Sequence, residues 1–211
     1  AIYVESDMMK SALQRRDFEN AVVMYNFKEL EPLAESDIEY PKSEPYKLCT
    51  FSRVMKEKGI EDAINAVESV NAHFGRTVYT LDIFGQVDVE YKERFSQLEK
   101  SFPDYISYGG AIEANKSVET LKSYFALLFP TYYKGEGFAG TLIDAMSAGV
   151  PVIASDWKYN PEFVVPGKTG VIIKNCNAER LAEELINIAA APEKWNSMRL
   201  SALKESEKYK P

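Results

Sequence analysis

The sequence predicts an α/β fold, a parallel sheet with helices on both faces, and three observations carry that reading. Short, nearly continuous apolar runs recur, as at residues 125–129 and 152–154, which is the pattern of strands buried on both faces. Between such runs apolar residues repeat at helical spacing, as in Ile60, Ala63, Ile64, Val67, Val70 and Phe74. Glycines then close several strands: Gly85 follows residues 78–84, and Gly109 and Gly110 follow residues 105–108. Alternating strands and helices need crossover connections, and these wrap helices over both sides of a parallel sheet.

Taken in order, residues 2–4 read as a strand, residues 8–16 as a short helix and residues 21–25 as a second strand. Residues 31–46 carry Pro32, Pro41 and Pro45 among charges, a linker composition with little means of burying a core. A domain boundary is therefore expected between residues 46 and 47. Beyond it come a strand at 48–51, the helix ending near Phe74, a strand at 78–84 and a helix marked by Tyr91, Phe95, Leu98 and Phe102. A strand at 105–108 precedes a short helix opened by Ser117, Glu119 and Thr120, and the strand at 125–129 leads into a helix expected to open at Phe138. Strands at 152–154 and 169–173 follow, then one helix carrying Leu181, Leu185 and Ile188 and one after Pro192 around Trp195 and Met198.

Composition narrows the function classes. A chain of 211 residues with 45% hydrophobic content can bury roughly 70% of its unfolded surface, so a substantial core is expected. A net charge of -7 argues against a nucleic-acid partner, and no apolar run is long enough to cross a bilayer. No secretory signal pattern is read in the sequence. Cys49 and Cys176 lack a Cys-x-x-Cys spacing and companion histidines, so they read as reduced thiols in a cytosolic compartment. The single His73, near the end of a helix and without a neighbouring acid or nucleophile motif, reads as a structural residue.

The chemistry concentrates in residues 125–156. Gly135, Gly137 and Gly140 keep side chains off the backbone where a helix starts, so amides and the positive end of the helix dipole can face a phosphate. Glu136 within that loop and Asp144 two turns along the helix can accept hydrogen bonds from neutral hydroxyls. Phosphate amides flanked by two hydroxyl acceptors describe a nucleotide-sugar pocket. Arg53 and Lys58, directly after the strand at 48–51, belong at the ligand edge of a parallel sheet, where an arginine fork and a lysine charge suit a diphosphate.

The segments 136–138, 145–156 and 160–162, read as Glu-Gly-Phe, Ala-Met-Ser-Ala-Gly-Val-Pro-Val-Ile-Ala-Ser-Asp and Asn-Pro-Glu, resemble the donor half of retaining GT-B glycosyltransferases of family four. The resemblance runs from about Lys47 to the end of the chain. That family separates two glutamates by seven residues; here Asp144 takes the second position, one methylene shorter, and Ala139 stands where the family has its third loop glycine. What the resemblance implies is a Rossmann-like donor-binding domain over residues 47–211, preceded over 1–46 by the end of a truncated acceptor domain and a linker. It implies Glu136, Arg53 and Lys58 as catalytic residues and Gly137, Phe138, Ala139, Gly140, Thr141 and Asp144 as donor contacts. It further implies retaining transfer from a UDP- or GDP-linked sugar to a saccharide or glycolipid acceptor, without a cofactor or essential metal. Polysaccharide or glycolipid assembly is the commonest role of such enzymes. The isolated fragment is expected to be nearly inactive and cytoplasmic, with any contact at the inner face of the membrane made through the absent N-terminal domain.

Two other readings stay open on the residues. Gly135-Glu-Gly137-Phe-Ala-Gly140 spells G-x-G-x-x-G before a helix and Asp156 ends the next strand, as in a dinucleotide oxidoreductase, although residues 130–134 intervene before the first glycine. A non-catalytic nucleotide-sugar-binding module is the other. Tyr132, Tyr133, Trp157 and Tyr159 either stack on sugar rings or pack the loop bases, and the resemblance implies residues 157–162, a loop that faces the other domain in GT-B enzymes, as a candidate acceptor contact. The resemblance also implies residues 109–112 as the base-binding loop, and they carry no side chain that distinguishes uracil from guanine.

Overall fold

The computed structural model describes residues 1–210. β1 (Ile2–Val4), α1 (Asp7–Gln14) and β2 (Ala21–Val23) form a small unit in which the two strands pair in parallel, Ile2 opposite Ala21 and Val4 opposite Val23. The main domain then alternates β3 (Tyr46–Phe51), α2 (Ile60–Phe74), β4 (Tyr79–Phe84), α3 (Lys92–Glu99), β5 (Ile106–Gly110), α4 (Ser117–Leu121) and β6 (Ala126–Phe129). It continues with α5 (Gly140–Ser147), β7 (Val152–Ser155), α6 (Asn160–Phe163), β8 (Gly170–Ile173), α7 (Ala178–Ala189), α8 (Pro192–Asn196) and α9 (Arg199–Ser206).

The six main strands form one parallel sheet in the order β5-β4-β3-β6-β7-β8. Both faces are covered, as the apolar runs require. Leu48 and Leu128 point into one core against Ile60, Val67, Leu181 and Leu185, while their neighbours Cys49, Leu127 and Phe129 point into a second core with Leu142, Met146 and Phe163. Successive residues of a strand serve opposite faces, so β6, with a core on each side, is apolar and buried at every position from Ala126 to Phe129.

Three expectations from the sequence change. Phe138 does not open α5; the helix starts at Gly140 because Phe138 is drawn into the second core, stacked face to face on Phe163 with ring centres 3.6 Å apart. The helix expected after Pro192 is two helices, and the second begins at Arg199, which is fully buried and donates to the carbonyls of Tyr124 and Lys122 at 2.7 Å each. Residues 31–46 are not bare linker: Ile38 is buried, and the Leu33 amide donates to the Ser147 carbonyl at the end of α5 at 2.8 Å.

Candidate active site

The strand order reverses between β3 and β6, so the chain leaves their carboxyl ends in opposite directions and opens a crevice there. A cavity of about 330 Å³ fills that crevice, near the lower end of the roughly 300–1,000 Å³ usual for small-molecule clefts. The end of β3 and the segment after it contribute Phe51, Ser52 and Lys58, and the end of β4 and the turn after it contribute Phe84, Gly85 and Gln86. Ala111 and Ile112, from the expected base-binding loop, close one side. Glu136, Ala139, Gly140, Thr141 and Asp144 close the other.

The loops after β3 and β6 are locked together. Gly59, at φ 72° between the 3-10 turn Lys56–Lys58 and α2, lies so close to the other loop that a Cβ there would stand 2.3 Å from the Pro130 carbonyl oxygen. The Tyr132 amide donates to the Glu57 carbonyl at 2.8 Å across the same junction. This contact brings Lys58 to Glu136. The ammonium donates to both carboxylate oxygens at 2.8 and 2.7 Å, and the Thr131 hydroxyl donates to the same carboxylate at 2.6 Å. Lys58 also lies over the rings of Phe129 and Tyr133, 5.4 and 5.2 Å from their centres. Lys58 and Glu136 are both buried, so each charge depends on the other for compensation.

A second ion pair closes the far end. Asp144, only 1% exposed, accepts from the Lys28 ammonium at 2.5 Å and lies 2.8 Å from the Ser117 hydroxyl. Both carboxylate oxygens therefore face donors. Between the two pairs stands the start of α5, where the Gly140 and Thr141 amides have no carbonyl within the helix to donate to, while the Leu142 amide donates to the Ala139 carbonyl at 3.0 Å. The buried Thr141 hydroxyl, which lines the cavity, has no hydrogen-bond partner in the protein. Amides, an unpartnered hydroxyl and a lysine suit a phosphate group. Among the described residues, no group of three or more His, Cys, Asp or Glu is placed to hold a metal ion.

Of the nine residues expected to be catalytic or donor contacts, Lys58, Glu136, Ala139, Gly140, Thr141 and Asp144 come together at this cavity, and three do not line it. The half-exposed Arg53 reaches toward Asp88 at 3.5 Å, with its guanidinium 5.6 Å from the Tyr133 ring centre. Phe138 is a core residue, and its amide donates to Glu5 at 3.1 Å. Gly137 lies against that same Glu5 carboxylate. Trp157 packs the loop base, donating from Nε1 to the Tyr133 carbonyl at 2.7 Å, while Glu162 accepts the Asp7 and Met8 amides at the start of α1 at 2.7 and 3.0 Å. Residues 157–162 thus meet the N-terminal unit. Glu5, Asn26 and Lys28 escaped the sequence reading because residues 1–30 carry no motif, and only the docking of that unit brings them to the site.

The family model of the glycosyl transferases group 1 matches residues 34–205. The chain belongs to this GT-B family. Among relatives of this glycosyl transferase chain, the UDP-N-acetylglucosamine–peptide N-acetylglucosaminyltransferase GtfA subunit of Streptococcus gordonii is 30% identical over 178 residues, 81% of this chain and 34% of that protein. The poly(glycerol-phosphate) alpha-glucosyltransferase of Bacillus subtilis is 26% identical over 183 residues, 84% of this chain and 26% of that protein. The chain thus spans about a third or less of the length of these curated relatives. Its structure superposes on a solved GtfA/B complex with a TM-score of 0.75 at 25% identity, covering 99% of this chain and 42% of that one. It matches the fold of Anabaena Alr3699/HepE, solved with UDP-glucose, with a TM-score of 0.79 at 16% identity, covering 98% and 58%. The family match disfavours the dinucleotide reading, and so does the geometry. Residues 130–134 separate β6 from Gly135, and Glu136 engages Lys58.

Proposed function

We propose that this chain is the donor-binding part of a retaining family-four glycosyltransferase that moves a sugar from a nucleoside diphosphate to a saccharide or glycolipid acceptor. The observation that carries the reading is the cavity at the strand-order reversal, where Lys58, the first-turn amides of α5 and the unpartnered Thr141 hydroxyl converge. In the transfer, the bond between the anomeric carbon and the diphosphate breaks with its electron pair leaving on the diphosphate, and an acceptor hydroxyl oxygen forms the new bond while its proton passes to the departing diphosphate oxygen. Lys58 and the amides offset the charge that develops on the leaving group. Glu136, beside Lys58, orients the transferred sugar. A UDP-linked donor is favoured over GDP, since the S. gordonii relative carries UDP-N-acetylglucosamine in its name.

No cofactor or metal enters this scheme. Residues 47–211 form the donor domain and residues 1–46 the end of an acceptor domain with its linker. The rest of that acceptor domain supplies the other half of the site, so this chain alone binds donor and turns over little. Polysaccharide assembly fits the family, and the two unpaired thiols Cys49 and Cys176 fit a cytoplasmic site of action with any membrane contact left to the absent domain. No helix among the described residues is long and apolar enough to cross a membrane. Calorimetric titration with UDP, GDP, their sugars and NAD tests the proposal. Binding of a nucleoside diphosphate or its sugar is expected; binding of NAD alone, or of none of them, would overturn it.

A further inference from the structure

Lys28 belongs to the segment ahead of the main domain, yet its side chain lines the cavity. It gets there across the start of α5: a Cβ at Gly140 would lie 2.8 Å from Lys28 Cε and 3.3 Å from Nζ. A side chain at residue 140 would have to push the end of the lysine aside. Two residues earlier, Asn26 donates from Nδ2 to the Phe138 carbonyl at 3.0 Å, which pins the backbone that carries the lysine. Asp144 then accepts the ammonium on one oxygen and faces Ser117 with the other, and it is 1% exposed while the lysine side chain is 32% exposed. The cation therefore stands between the carboxylate and the open space. An ammonium has three donors, and Asp144 takes one. What this corner offers a ligand is the remaining ammonium donors beside the start of a helix, and such charge-assisted donors bond most strongly to an anionic oxygen.

We propose that Lys28 contacts the diphosphate of the bound nucleotide and that Asp144 is its positioning residue. The proposal rests on the nucleotide-sugar reading above and changes one role within it, because the ribose contact expected of the carboxylate gives way to a phosphate contact through the lysine. Across the amides of α5 from Lys58, Lys28 is a second cation, supplied by a different part of the chain. A donor that binds there also ties the N-terminal segment to the main domain.

The test is UDP and GDP titrated calorimetrically into the chain and its Lys28→Met, Lys28→Arg, Asp144→Asn and Lys28→Met/Asp144→Asn variants, each first shown to be folded by its thermal transition. Lys28→Met is expected to weaken diphosphate binding about tenfold or more, as loss of a charge-assisted contact does, and Lys28→Arg to keep most of the affinity. Asp144→Asn should weaken binding when Lys28 is present and change it less than about twofold when Lys28 is already Met. Unchanged or tighter binding by Lys28→Met, or an equal effect of Asp144→Asn in both backgrounds, would overturn the role of Lys28 and leave the nucleotide-sugar reading standing. Failure of the unsubstituted chain to bind either diphosphate would remove that reading and the proposal with it.

Discussion

The Lys58 ammonium lies within 2.8 Å of both carboxylate oxygens of Glu136, in a pair almost closed to water. Removing one partner of such a pair leaves the other charge buried alone, which costs about 3–5 kcal/mol. Removing the charge also frees the survivor for another counter-ion, and this double consequence sets the first two predictions.

Glu136→Gln keeps the shape of the side chain and strands the Lys58 charge. The variant is expected to melt well below the parent chain and to regain more of the difference when UDP is added, because the phosphates replace the lost carboxylate as counter-charge. Thermal denaturation with and without UDP reads both effects. An equal UDP-induced shift in the two proteins would place the diphosphate away from Lys58.

Arg53 and Lys58 should not be equivalent. Lys58 lines the cavity, whereas Arg53 stands outside it, half-exposed near Asp88. Lys58→Ala is expected to cost diphosphate binding about 1.5–3 kcal/mol, and Arg53→Ala less than about 1 kcal/mol, as for an exposed pair. Affinities of both variants for UDP decide it, and a larger loss at Arg53 would reverse their roles.

How far the sequence could be read follows from how local each signal is. The apolar run at 125–129 has a core on both sides and is visible in any window, so the parallel sheet was legible. The loops holding Lys58 and Glu136 were legible for the same reason, since each follows a strand directly. Although α5 begins at Gly140, the glycines around Phe138 give it the local pattern of a helix start. Its burial against Phe163 depends on α6, which no local pattern announces. Arg53 and Lys58 look alike in sequence, and only the turn Lys56–Lys58 separates an outward cation from an inward one. Lys28 was invisible because its partner is 116 residues away and its surroundings read as polar.

Gly59→Ala is the substitution that should unlock the site without touching a charge. Alanine at φ 72° carries a penalty of about 1–2 kcal/mol, and its Cβ would collide with the Pro130 carbonyl oxygen. The loops after β3 and β6 must part to relieve the contact, which pulls Lys58 away from Glu136. A denaturant midpoint lowered by more than the backbone penalty alone, together with weakened UDP binding, is the expected result. A loss of stability with UDP affinity intact would show that the two loops can part without moving Lys58.

The thiols give the last prediction, through their protonation. Burial holds the Cys49 thiol well above the ordinary cysteine value, and burial, aided by the Asp62 charge, pushes Cys176 up to about 12. In the unfolded chain both return to about 8.5. At pH 8 the native protein should therefore react with iodoacetamide far more slowly than the same chain in urea, because the thiolate is the nucleophile. The sign for stability follows from the same shift. Below about pH 8.5 both states hold the thiol protons and the contribution is complete; above it the unfolded chain releases them first, and stability falls as pH rises toward the folded values. Tyrosines also titrate in that range, so the comparison is with the Cys49→Ala/Cys176→Ala variant. Its urea midpoint should fall less steeply between pH 8 and pH 10 than that of the parent chain. Identical slopes, or native thiols alkylated at pH 8 as fast as in urea, would show that neither sulfur is held in its protonated form by the fold.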